Sequence, residues 1–286
     1  MEKGFKAVVF DLDGVLFRGR TALPHAAEAV AKLRSLGLKV FFFTNNATKT
    51  RMQYCRKLNK LGIGAHLGEI YTSANGTAIY MREKGWKGKA LVVGEYGLKK
   101  ELQSAGFSIV SSPPADFVVV GLDRKFTYKK LANALLALKQ GARFIVTNSN
   151  PTLPLEDKIA PGSAAMVEAL VACARQRPEV IVGKPNTYIL RKIAEAAGAG
   201  KQASAAPAKS GKGKSASTAK VKAKEIAIVG DSLENDIALA NRFKALSVLV
   251  LTGVTKEKDA MRAKGENKPK LIIKDLSALP RALGVG

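Results

Sequence analysis

Eight short runs rich in Val, Ile and Phe divide this sequence, and helix-like stretches separate them. The runs are AVVF (7–10), VFFF (40–43), ALVVG (90–94), FVVVG (117–121), FIVT (144–147), VIVG (180–183), IAIVG (226–230) and SVLVL (247–251). They are continuously apolar, whereas a strand with one wet face alternates apolar and polar residues. Stretches between them, such as AAEAVAKLRSLG and YKKLANALLALKQG, carry apolar residues at helical spacing and end in Gly. Strands alternating with helices of that length make βαβ units. The pattern predicts an α/β fold: a three-layer, Rossmann-like core whose parallel sheet is covered by helices on both faces.

The chain has 286 residues, enough for more than one domain. No apolar run approaches the roughly 20 residues that span a bilayer. The opening MEKGFKAVVFDLDG enters a strand at once and meets acids by position 11, unlike a signal peptide. The two cysteines, Cys55 and Cys173, fall in helical stretches and make no disulfide framework. A reducing cytoplasm and no membrane partner are the expectation.

The formal net charge is +24 and the pI about 10.1. A nucleic-acid partner, attraction of small anions, or simply solvated lysines all account for that excess. No aromatic RNP-like ribbon and no zinc-finger spacing accompanies it, so nucleic-acid binding is not expected as the main role. One segment stands apart. Residues 198–224, GAGKQASAAPAKSGKGKSASTAKVKAK, contain seven lysines, no acid and no aromatic residue. Such a composition cannot bury enough to fold and reads as a disordered surface insert. Its lysines, 201–224, are where a nucleic acid would bind; an inert insertion is the other reading.

In a parallel α/β sheet, ligands bind beyond the carboxyl ends of the strands. Four strand ends carry polar groups. Asp11 and Asp13 follow AVVF; Thr44, Asn45 and Asn46 follow VFFF. Lys184 follows VIVG, and Asp231 follows IAIVG with Asp236 five residues on. Each has an ordinary explanation. Asp13-Gly14 makes a turn, Thr44 or Asn46 caps a helix starting near Ala47, Lys184 is a solvated loop lysine, and Asp231 with Glu234 makes a capping box. Together, in this order, they predict one shared rim.

Asp11 and Asp13 are two residues apart, so in extended chain they point to one side, roughly 6–7 Å apart. Two like charges at a buried rim repel unless one is protonated or a cation intervenes. Hard Mg²⁺ takes carboxylate and carbonyl oxygens, and Asp231 is a natural third ligand. Lys184 and the groups near Thr44 suit an anion beside the metal, and a phosphoryl group fits that set.

The motifs DLDGVL, TNN, VGKP and GDSLENDI resemble, in order, the four motifs of the haloacid dehalogenase superfamily. The resemblance covers nearly the whole chain apart from the Lys-rich insert. A segment with its own α/β pattern, residues 77–178, is similar to the C2-type cap of the phosphatase subgroup that includes NagD, p-nitrophenyl phosphatases and phosphoglycolate phosphatases. The implied organisation is a discontinuous core, 1–76 and 179–286, with a smaller α/β cap.

The resemblance implies roles for the residues. Asp11 attacks phosphorus and forms an aspartyl-phosphate; Asp13 moves protons. Thr44 and the amides of Asn45 and Asn46 hold phosphoryl oxygens, and Lys184 neutralises charge. Asp11, Asp231 and the backbone carbonyl of Asp13 bind Mg²⁺, with Asp236 behind them. The acid at position 13 goes with phosphate-ester chemistry in this superfamily. The implied activity is a Mg²⁺-dependent phosphomonoester hydrolase acting on a small phosphorylated metabolite, with a homodimer through the cap as one option. Two alternatives stay open: a nucleic-acid-associated protein using the insert, and a phosphotransferase to an acceptor alcohol.

Two positions depart from the pattern. TNSN (147–150) stands where the subgroup commonly reads TNPD, so Asn150 replaces an acid. Asn235 stands before Asp236 where Thr is frequent. Asp123, Arg124 and Asn148 are either specificity residues of the cap or turn formers.

Overall fold

The computed structural model describes residues 4–154, 158–199 and 221–285. The chain divides into two compact units. The first is Met1–Phe43, Lys57–Ile70 and Ile189–Gly286; the second is Thr44–Arg56 and Tyr71–Tyr188.

The first unit is built on a six-stranded sheet. Its order is Leu271–Ile273, Leu246–Val250, Ile226–Gly230, Ala7–Phe10, Lys39–Thr44 and Ile70–Thr72. The pairings from Leu271–Ile273 through Lys39–Thr44 are parallel. Ala7–Phe10 and Ile226–Gly230 are buried along their whole length, as strands covered on both faces must be. In chain order the sheet reads 6-5-4-1-2-3. The order reverses between Ala7–Phe10 and Ile226–Gly230, which opens a crevice at their carboxyl ends.

The second unit has a parallel sheet of its own, ordered Val180–Ile181, Arg143–Val146, Phe117–Val120, Lys89–Val93 and Ser108–Val110. Helices Tyr128–Lys139 and Ser163–Ala174 pack Ala134, Leu138, Val167 and Leu170 against Val118, Val120 and Phe144. An α/β core with a further, separate α/β unit is the expected fold class.

The structure differs from the sequence reading at several points. Val180–Ile181 pairs with Arg143–Val146 in the second unit, so the VIVG run is not a core strand and Lys184 leaves the second sheet. The units change over near residues 43, 56, 70 and 188, not at 76 and 178. An apolar strand run reads alike for either sheet, so the sequence could not assign it.

The insert expected over 198–224 is shorter at both ends. Gly198 closes the helix Tyr188–Gly198, and Ala223–Glu225 forms a 3₁₀ turn. That turn is held by the Glu225 carboxylate, which accepts from Lys222 N and pairs with Lys6. Residues 200–220 of the insert lie outside the described residues. Among the described residues, no helix is long and apolar enough to cross a membrane.

Candidate active site

Asp11 and Asp231 occupy the crevice of the first unit because each is the first residue past its strand. Asp11 N donates to Val229 O (2.9 Å), which continues the ladder one step beyond the strand. The chain then turns at Gly14, whose φ of 81° lies in the left-handed region that favours glycine. A Cβ on Gly14 would stand 2.3 Å from Asp231 Oδ2, and one on Gly253 would stand 1.8 Å from the same atom. Two glycines thus make room for one carboxylate.

The loop after Leu246–Val250 fixes that carboxylate. Val254 N donates to Asp231 Oδ2 (2.8 Å), and Thr255 Oγ1 donates to Asp231 O (2.6 Å). Thr252 Oγ1 donates to Gly14 O (2.7 Å), tying the Asp11–Gly14 turn to the same loop. The sequence reading missed this loop. Its signal was the same strand-end rule, applied to TGVT after SVLVL.

Asp236 is brought in by a turn of unusual pitch. Ile237 N bonds Ser232 O five residues back within the π-type turn Leu233–Ile237. Ser232 is the cap of this turn: its Oγ accepts from Asn235 N and Asn235 Nδ2. The capping-box reading of Asp231 with Glu234 is therefore corrected, and the Asp231 carboxylate turns to the loop after Leu246–Val250. Asn235 serves this cap. Asp236 Oδ2 accepts from Ser232 N (3.1 Å).

Asp11, Asp231 and Asp236 each offer a carboxylate oxygen within 4.8 Å of the others. Asp231 and Asp236 are buried and Asp11 is half-buried. Three such charges repel strongly at that range, and a hard divalent cation is the partner that relieves them. The donor set fits such a cation. Asp13 is exposed, on the turn that the Asp13–Phe17 bridge closes.

The remaining candidates belong to the second unit. Thr44 is 3% exposed and Lys184 5%, so Lys184 is no solvated loop lysine. Asn46 N donates to Thr44 Oγ1 (3.1 Å), so this amide turns back on Thr44, contrary to the expectation that it faces a ligand. Asn46 Oδ1 accepts from Thr48 N and Thr48 Oγ1. The helix expected near Ala47 begins at Arg51, capped by Thr50 and Gln53, which bond each other's backbone N–H. The Asn45 side chain bonds both backbone groups of Lys184.

The cap-loop candidates are held in place. Arg124 grips Glu95 bidentately, Nε and Nη2 each 2.7 Å from a carboxylate oxygen. Asp123, 1% exposed, accepts from Lys130 Nζ (2.6 Å) and Lys125 N. Asn148 Nδ2 donates to Asn150 Oδ1. Arg124 and Asp123 thus bond residues at the helices Tyr96–Ser104 and Tyr128–Lys139, and Asn148 bonds within its own loop.

The haloacid dehalogenase-like hydrolase model matches residues 8–108, and a HAD-hydrolase-like model matches residues 181–279. An acid sugar phosphatase of Staphylococcus epidermidis is 34% identical over 275 residues, 96% of either chain. A 4-nitrophenylphosphatase from Thermotoga maritima superposes with a TM-score of 0.85 at 28% identity, covering 98% of both chains. A glycerol phosphate phosphatase from Mycobacterium tuberculosis, solved with magnesium, superposes with a TM-score of 0.81 at 28% identity, covering 96% of this chain and 76% of that one. The chain belongs to the haloacid dehalogenase-like hydrolases, in the subgroup of NagD and p-nitrophenyl phosphatases. It is a phosphoric monoester hydrolase for small phosphorylated substrates.

Proposed function

We propose that the chain is a Mg²⁺-dependent phosphatase that works through an aspartyl-phosphate on Asp11. The observation that carries this reading is the triad of close carboxylates, Asp11, Asp231 and Asp236, at the point where the strand order reverses. Asp11, Asp231 and Asp236, with the backbone carbonyl of Asp13, are the groups that would hold the cation. A bound Mg²⁺ supplies positive charge for the phosphoryl oxygens.

The Asp11 carboxylate attacks phosphorus, and the P–O bond to the leaving alcohol breaks. Asp13, exposed to solvent, gives its proton to that leaving oxygen. It then takes one from the water that cleaves the acyl-phosphate, which releases inorganic phosphate and returns Asp11 as the carboxylate and Asp13 as the acid. By the resemblance, Thr44, the backbone N–H of Asn45 and Lys184 would bind the phosphoryl oxygens. Within the second unit, Thr44 Oγ1 accepts the Asn46 N–H, which leaves its own hydroxyl proton to donate.

The activities of the acid sugar phosphatase and glycerol phosphate phosphatase relatives support small sugar or polyol phosphates as substrates; the aryl ester p-nitrophenyl phosphate is the convenient probe. The test is a screen of phosphate esters for released phosphate, run with Mg²⁺, after EDTA, and after Mg²⁺ is restored. The reading expects activity lost with EDTA and recovered with Mg²⁺. Turnover that survives EDTA undiminished contradicts it. The resemblance also supports a homodimer, which sedimentation at micromolar concentration tests.

A further inference from the structure

We infer that Asn45 is the positioning residue for Lys184, and that what this network requires of position 150 is an acceptor oxygen, with or without charge. This rests on reading Lys184 as the residue that neutralises the phosphate. The Lys184 backbone N–H only donates and its carbonyl only accepts. Asn45 meets both: Oδ1 accepts from Lys184 N at 2.8 Å, and Nδ2 donates to Lys184 O at 3.0 Å. A primary amide carries both functions on separate atoms at one end; a carboxylate has no N–H to donate, and a hydroxyl must do both through a single oxygen. The neighbouring Gly183 makes the approach feasible, since a Cβ there would stand 2.6 Å from Asn45 Oδ1.

That embrace fixes which way the Asn45 amide faces, and leaves one Nδ2 hydrogen. It goes to Asn150 Oδ1 at 2.9 Å. Asn148 Nδ2 donates to the same oxygen at 2.8 Å, and Thr147 Oγ1 donates to Asn148 Oδ1 at 3.0 Å. Both asparagines are also anchored by their carbonyls: Ser73 Oγ donates to Asn45 O and Ser163 Oγ to Asn148 O. Asn45, Asn148, Thr147 and Lys184 are all buried, so a lost partner is not replaced by bulk water. Two donors converge on one oxygen of residue 150. An aspartate accepts both as well, and more strongly. The departure of TNSN from TNPD therefore keeps the acceptor and drops only the charge.

The test uses the full chain with Mg²⁺ and p-nitrophenyl phosphate, and three variants: Asn45→Ala, Asn150→Leu and Asn150→Asp. Hydrogen exchange at the Lys184 amide reads the positioning directly, without reference to catalysis. Asn45→Ala is expected to speed that exchange about tenfold, the loss of one buried bond. In Asn45→Ala and Asn150→Leu, kcat is expected to fall about tenfold with KM little changed. Asn150→Asp is expected to keep exchange and kcat within about twofold of the original.

An unchanged Lys184 amide in Asn45→Ala overturns the inference, as does an Asn150→Asp as impaired as Asn150→Leu. If Asn45→Ala does not fold, the Asn150 pair decides alone. If the unaltered chain releases no phosphate while exchange follows the expected order, the positioning stands and the phosphatase role of Lys184 falls.

Discussion

Asp231 shows how closely this protein specifies one carboxylate. Gly14 and Gly253 leave it space, Val254 N holds an oxygen, and Thr255 holds its carbonyl. Gly253→Ala puts a methyl group where Asp231 Oδ2 now lies, so the carboxylate must move. The Mg²⁺ concentration for half-maximal activity is expected to rise about 10–100-fold, the usual cost of disturbing support around a metal ligand. A Mg²⁺ titration of activity reads it.

Glu95 gives a second prediction at this scale. The hydrogen-bonded Arg124 guanidinium holds its carboxyl below the usual range, against partial burial that pushes it up. A depressed folded pKa means stabilisation that is present above the ordinary glutamate value of about 4.3 and lost as pH falls through the folded pKa. The neutral isostere Glu95→Gln is expected to melt below the original chain at pH 7. The gap closes as pH falls below the ordinary value; a gap independent of pH contradicts the pairing.

At the scale of elements, the helix Arg51–Lys60 is held at its start by a residue from another helix. Glu101, 7% exposed, accepts from Arg51 N at 3.0 Å and Asn75 Nδ2 at 3.3 Å. A carboxylate at a helix N-terminus is favourable, and its removal strands the buried Asn75 amide and the part-buried Arg51 N–H. Glu101→Ala is expected to cost about 1–3 kcal/mol of stability in urea unfolding. The helix start itself was not legible: Asn46 and Thr44 look like caps, but Asn46 Oδ1 is taken by Thr48 and the true cap is Thr50.

The strands divide the same way. Runs of four or more apolar residues such as AVVF and FVVVG announce themselves, because both their faces are buried. Ile70–Thr72, Ser108–Val110 and Leu271–Ile273 are three residues long and sit at sheet edges, where burial asks less of the sequence. The site was legible where side chains follow strands directly, as Asp11 and Asp231 do. The Asn45–Asn150 contact spans 105 residues and rests on amide orientation, which a linear pattern does not carry.

For the whole molecule, the crevice at the reversal of strand order explains why a chain of net charge +24 gathers three acids in one place. The Lys-rich insert plays no part in that explanation. Deleting residues 201–219 is expected to leave kcat/KM for p-nitrophenyl phosphate within about twofold, since a segment of that composition has little apolar side chain to bury. A salt-titrated gel shift on the same pair shows whether those lysines bind RNA in addition.

The central claim is that Asp11 carries the phosphoryl group. Radiolabelled acetyl phosphate or p-nitrophenyl phosphate, mixed with the Mg²⁺-loaded chain and quenched in acid within one turnover, tests it. The account predicts label on the peptide containing Asp11, none in Asp11→Asn, and no label anywhere after EDTA. Label that persists on the Asp11→Asn chain, or rapid phosphate release by that variant, contradicts it.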